Sequence, residues 1–136
     1  MISASAKVVD SWAMLAWLLD QPAAPQVEAL LQEADAGNLQ LVMSWINAGE
    51  VYYIATKRLG QKLAEQFLAR LPSLPLRLVV PTEEDIVAAA KIKGAHRVSY
   101  ADAFAIAQAE QGSVVTGDEE IRQCNLVPVE WIGNQP

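Results

Sequence analysis

The sequence is short of the residues most often used for catalysis and metal binding. Cys124 is the only cysteine and His96 the only histidine. No internal disulfide can form, no zinc site can be built from thiols, and acid–base catalysis by paired histidines is excluded. Any metal would need oxygen ligands. Long hydrophobic runs are also missing: the longest apolar stretches, 12–19 and 101–107 (the latter interrupted by Asp102), fall far short of the ~20 residues a bilayer span requires. Only Lys7 is charged near the start and no cleavable signal is evident, so a cytoplasmic protein is expected. Basic residues are scarce, with 10 Lys and Arg against 16 Asp and Glu and a net charge of −6. That balance argues against nucleic-acid binding by bulk electrostatics alone.

What is present suits one globular domain spanning 1–136, since 52% of the residues are hydrophobic and 19% charged. The stretch 99–118, SYADAFAIAQAEQGSVVTGD, organises the rest. It predicts a helix opening at Ser99 and apolar on nearly all sides over 101–109. A turn at Gln111 and Gly112 and a strand over 113–116 follow, stopping at Gly117 and Asp118.

Taken in order, 7–9 reads as a strand ending at Asp10 and 11–20 as a helix. Pro22 and Pro25 allow a second helix, closed by Gly37 and Asn38. A strand over 39–43 leads to Ser44, a helix N-cap, and a helix to about Leu59 before Gly60. A helix over 61–71 follows, then a strand over 76–80 whose low polar content places it centrally. Thr82 and Asp85 resemble a capping box for a helix ending at Gly94; after Asp118 come a short helix over 119–124 and a last strand over 125–131. The alternation predicts an α/β sandwich with a mainly parallel sheet and right-handed crossovers.

Four carboxylates stand out. Asp10 and Asp118 follow strands, Asp102 opens the apolar helix, and Glu50 projects from SWINAGEVYYIA with Ile46, Tyr53 and Ile54 on its face and Ala48, Val51 and Ala55 adjoining. The three aspartates each have an ordinary explanation as helix starts; no capping role explains Glu50. In a parallel sheet the carboxyl ends of strands share one edge, where sites form. Clustered carboxylates raise one another's pKa unless a cation intervenes, and a divalent ion with hard oxygen ligands, Mg²⁺ or Mn²⁺, resolves the conflict. Such a site suits in-line displacement at a phosphodiester by metal-activated water. Two basic clusters, Lys91, Lys93, His96 and Arg97, and Lys57, Arg58 and Lys62, are solvated helix ends or candidate RNA-binding positions.

VVDSWAML, NAGEV, SYADAFAIAQA and VVTGDEEI, in that order, resemble the PIN-domain ribonucleases, and by size the VapC toxins of toxin–antitoxin pairs. The likeness covers nearly the whole chain. It implies a PIN-like three-layer sandwich and a metal-dependent endoribonuclease with Asp10, Glu50, Asp102 and Asp118 as catalytic and metal-binding residues. Asp10 and Asp102 would be the most direct ligands. Ser11, Asn47, Ser99 and Thr116 fall beside the motifs and could orient ligands or water. An RNA substrate, a cognate antitoxin whose tail reaches the acidic pocket, and a homodimer are further implications. The Trp-containing helices 11–20 and 44–59 lend dimerisation mild support. Ile121 stands where family members often carry an aromatic, and Glu119 and Glu120 leave the fourth acid ambiguous. Two other readings remain: a catalytically silent PIN-like module that binds RNA or a partner protein, and an aspartyl-phosphate phosphotransfer domain using Asp10. The second lacks support: Trp12 stands where another Asp is needed, and no lysine follows strand 113–116.

Overall fold

Short stretches, each carrying at least one valine, form the sheet and the longer segments form helices. The computed structural model describes residues 6–110 and 112–134. The strands are β1 (Ala6–Val9), β2 (Gln40–Ser44), β3 (Arg77–Val79), β4 (Ser113–Thr116) and β5 (Val129–Trp131), and the helices α1 (Ser11–Leu18), α2 (Ala24–Asp35), α3 (Trp45–Leu59), α4 (Gln61–Arg70), α5 (Glu83–Ala95), α6 (Tyr100–Gln108) and α7 (Glu119–Cys124). A 3₁₀ turn, Leu71–Ser73, follows α4. All four strand pairings are parallel, and the sheet order is β3-β2-β1-β4-β5.

Alternation along the strands sends side chains to two separate cores. Val9, Leu41, Met43 and Val115 pack with α1 to α4, burying Met14, Val27, Val51 and Phe67. Val8, Val42 and Val114 face the other way, against Ala89, Phe104, Ile106 and Ile121 of α5, α6 and α7. The expected three-layer PIN-like α/β architecture is therefore present.

The sheet order also locates the site. From β1 the chain moves outward through β2 to β3, then crosses to β4 on the other flank of β1. The connections leaving β1 and β4 diverge, and a crevice opens beyond their carboxyl ends. Val9 pairs with Val115, so Asp10 and Thr116 come next at that crevice.

Some local expectations change. β3 lies at the edge of the sheet rather than in its centre. Its apolar character reflects cover on both faces, since Leu78 packs into one core and Val79 into the other. α5 runs through Gly94 and ends where His96 turns extended (φ −135, ψ 158); Gly94 does not take the positive φ that makes glycine a helix terminator. α1 stops at Leu18, and Asp20 adopts φ 52. Asn125, expected in the last strand, takes φ 53 as the left-handed cap of α7, so β5 begins only at Val129. Of the turn expected at Gln111 and Gly112, Gln111 lies outside the described residues.

Candidate active site

Asp10 is the N-cap of α1, accepting a hydrogen bond from the Ala13 N–H at 2.8 Å through Oδ1. Its other oxygen accepts from the Thr116 hydroxyl, and Thr116 Oγ1 in turn accepts the Asp118 N–H at 2.9 Å. Asp118 caps α7 through the Glu120 N–H, and Ser99 caps α6 through the Asp102 N–H at 3.0 Å. The helix-cap role and the cluster role are thus not alternatives. Capping fixes each carboxylate at the start of a helix, and the switch point gathers those starts.

Asp10, Asp102 and Thr116 are buried. Burial pushes the Asp10 carboxyl up to about 8 against the bonds from Thr116 and Ala13, with the charges of Asp102 and Asp118 adding to the rise. Burial also lifts Asp102 to about 7, followed by repulsion from Asp118 and a mutual hydrogen bond that favours the protonated form; the Ser99 contacts oppose this. No cationic side chain is among the groups acting on either aspartate. Carboxylate oxygens of Asp102, Asp118 and Glu120 lie within 4.8 Å of one another. The donor set is all oxygen, crowded and uncompensated, which fits a hard divalent cation.

Ser11 and Asn47 brace the helices that carry the cluster. The Asn47 amide donates to Ser11 Oγ at 3.1 Å and to the Ala101 carbonyl at 3.0 Å, while Ser11 donates back to the Asn47 carbonyl at 3.3 Å. One buried side chain therefore ties together the starts of α1, α3 and α6. Its Oδ1 is buried without a partner among the described residues.

The sequence model of the PIN domain matches residues 7–125. The chain belongs to the PIN domain family. No curated protein matches it in sequence. Among solved structures, this PIN domain resembles the Mycobacterium tuberculosis toxin VapC20, described as cleaving the sarcin–ricin loop, with a TM-score of 0.72 at 17% identity over 88% of this chain and 95% of that one. It is similarly close to DNA-bound VapBC from Salmonella typhimurium, with a TM-score of 0.71 at 16% identity over 97% and 99% of the two chains. FitAcB from Neisseria gonorrhoeae gives 0.64 at 20% identity, covering 90% and 95%. Identities this low establish the shared fold alone.

Within this PIN domain the structure brings Asp10, Asp102 and Asp118 together, with Ser11, Asn47, Ser99 and Thr116 in contact with them or with the elements that carry them. Glu50 is placed differently from its expected apolar surroundings. Ala48, Val51 and Ala55 are fully buried, but Glu50 sits at the margin beside the exposed Ile46 and Tyr53, and accepts the Tyr53 hydroxyl at 3.3 Å. The acid that joins Asp102 and Asp118 is Glu120; Glu119 is occupied by Arg122 at 2.6 Å. The sequence signal for Glu120 was its position in the first turn of a helix capped by Asp118, whose carboxylate accepts the Glu120 N–H. Among the candidate RNA-binding residues, the Lys57 ammonium lies 5.6 Å from the Tyr53 ring centroid, while Arg58, Lys91, Lys93 and Arg97 are exposed. None of the five forms a salt bridge among the described residues.

Proposed function

We propose that this PIN domain is a metal-dependent endoribonuclease, the toxin of a type II toxin–antitoxin pair. The observation that carries the reading is the gathering of Asp10, Asp102 and Asp118 at the switch point with Glu120 beside them and no cation to neutralise them. Support for the toxin assignment comes from fold-level likeness to VapC and VapBC structures.

Asp10, Asp102 and Asp118 would hold Mg²⁺ or Mn²⁺, with Glu50 and Glu120 completing the pocket directly or through water. A divalent ion there supplies positive charge against a phosphodiester and acidifies nearby water. The chain's own part is positional. Thr116 and the Ala13 N–H together fix the plane of the Asp10 carboxylate, Ser99 fixes the first turn of α6 under Asp102, and Asn47 holds the three helix starts in register. Tyr53 links Glu50 to Lys57, whose ammonium lies over the Tyr53 ring, and this exposed cation on α3 would be available to an RNA phosphate. Arg58, Lys91, Lys93 and Arg97 would add diffuse attraction for the strand. The working form is a cytoplasmic homodimer restrained by a cognate antitoxin.

Incubating the antitoxin-free protein with total cellular RNA, with Mg²⁺, with Mn²⁺ and with EDTA, tests the reading. Discrete cleavage that is lost on chelation and in both Asp10→Asn and Asp102→Asn supports it. Cleavage that survives all three places the activity elsewhere.

A further inference from the structure

Trp12 stands two residues after Asp10, and its ring lies so close to Gly117 that a Cβ there would be 2.4 Å from Cη2. Beyond this contact opens a cavity of about 300 Å³, lined by Trp12, Gln21, Gln26, Ile132, Gly133 and Asn134 together with Pro22 and Ala23. That volume is at the lower end of small-molecule sites. Its lining contains an indole, three primary amides and no charged side chain. The indoles of Trp17 and Trp131 give their N–H groups to Glu28 and to the Asn134 carbonyl. The Trp12 indole N–H and the side-chain amides of Gln21, Gln26 and Asn134, by contrast, have no hydrogen-bond partner among the described residues.

We propose that this cavity binds one unpaired nucleobase of the RNA substrate, next to the scissile phosphate, and so sets the sequence preference of cleavage. The proposal rests on the nuclease reading above. A neutral lining suits the neutral part of a nucleotide. Amides present the donor–acceptor pairs that base edges require, and the indole offers a surface for stacking. Trp12 lies two residues from Asp10 and its ring packs on Gly117, the neighbour of Asp118, so a polynucleotide with its phosphate at the acids has an adjacent base close to this cavity. Gly117 and Gly133 allow the close packing at this rim: a Cβ at Gly133 would lie 2.6 Å from the Trp131 ring and 2.9 Å from the Gly117 Cα.

The test is an abasic walk. A cleavable RNA oligonucleotide is prepared with a single abasic residue at each position in turn. Its binding is measured with the Asp10→Asn protein in Mg²⁺ and its cleavage with the wild type. One position beside the cleavage site is expected to show a loss of about five- to a hundredfold, the worth of one stacked base. The same loss should shrink several-fold, without vanishing, when Gln26→Leu and Asn134→Leu, both at exposed side chains, remove two of the amides and leave the indole surface in place. Trp12→Phe, which retains an aromatic face, should keep part of it. An unchanged penalty in the Gln26→Leu/Asn134→Leu protein, or no sensitive position at all, overturns the proposal. So does weakened antitoxin binding with RNA binding intact, which would assign the cavity to a protein side chain. Wild-type cleavage without a sensitive position removes the base pocket and leaves the nuclease standing. Absence of any wild-type cleavage strikes the nuclease reading itself, and binding by Asp10→Asn then decides the pocket separately.

Discussion

Thr116 and Asp10 are 106 residues apart in the chain and joined by a hydrogen bond from the threonine hydroxyl to the aspartate carboxylate. The same oxygen accepts the Asp118 N–H, so one hydroxyl couples the ends of β1 and β4 across the switch point. Replacing it tests how far the acids depend on being held. Thr116→Val keeps the shape of the side chain, removes both bonds and leaves the Asp118 amide without its acceptor. The expected result is a loss of about 10- to 100-fold in metal affinity or cleavage rate, read by Mn²⁺ titration and by single-turnover cleavage.

The raised carboxylates make stability depend on pH. In the metal-free protein Asp10 titrates near 8 and Asp102 near 7, against an ordinary value of 3.8. A folded pKa above the unfolded one means that the folded state holds the proton more tightly. The stabilisation is complete below about pH 4 and disappears as pH rises through 7 to 8. Setting aside other titrating groups, thermal unfolding in EDTA should occur at lower temperature at pH 9 than at pH 5.5. Asp10→Asn should flatten that dependence, and added Mg²⁺ should reverse much of the loss at high pH.

Two glycines make opposite predictions. A Cβ at Gly117 meets the Trp12 ring at 2.4 to 2.6 Å, whereas one at Gly94 meets nothing within 4 Å. Gly117→Ala should lower stability by about 1–3 kcal/mol through forced repacking and impair cleavage, since Asp118 is its neighbour. Gly94→Ala lies inside a helix at negative φ and should raise stability by about 0.5–1 kcal/mol with activity unchanged. Denaturant midpoints for the two variants check both.

Glu50 and Glu120 are separable. Glu120 shares the 4.8 Å cluster, while Glu50 is engaged by Tyr53 at the margin. If both complete the pocket, Glu50→Gln and Glu120→Gln should each reduce the cleavage rate at limiting Mg²⁺. Tyr53→Phe should then mimic a mild form of the Glu50 change. A Glu50→Gln protein with wild-type kinetics at every Mg²⁺ concentration would leave Glu120 as the fourth acid.

The fold was legible because the signals were local and repeated. Strand ends at Asp10 and Asp118, the caps at Ser44, Thr82 and Ser99, and the apolar helix after Ser99 all stand where sequence places them. What could not be read depended on lateral order and on covering layers. The apolar run that became β3 carries the same pattern whether a strand is central or at an edge with helices on both faces. The site followed similar lines. The three aspartates were visible as strand-end and helix-start residues. The setting of Glu50 required knowing which flank of α3 the cores cover, and the inclusion of Glu120 required the first turn of a six-residue helix.

The most direct test is a calorimetric titration of the antitoxin-free protein with Mn²⁺ at pH 6.5, repeated in buffers of different ionisation enthalpy. Burial favours the protonated forms of Asp10 and Asp102 at that pH, so Mn²⁺ binding should be accompanied by proton release, with both lost or much reduced in Asp10→Asn and Asp102→Asn. Mn²⁺ that fails to bind the folded wild-type protein, or binds both variants as it binds the wild type, would contradict the assignment of these acids as a cation site.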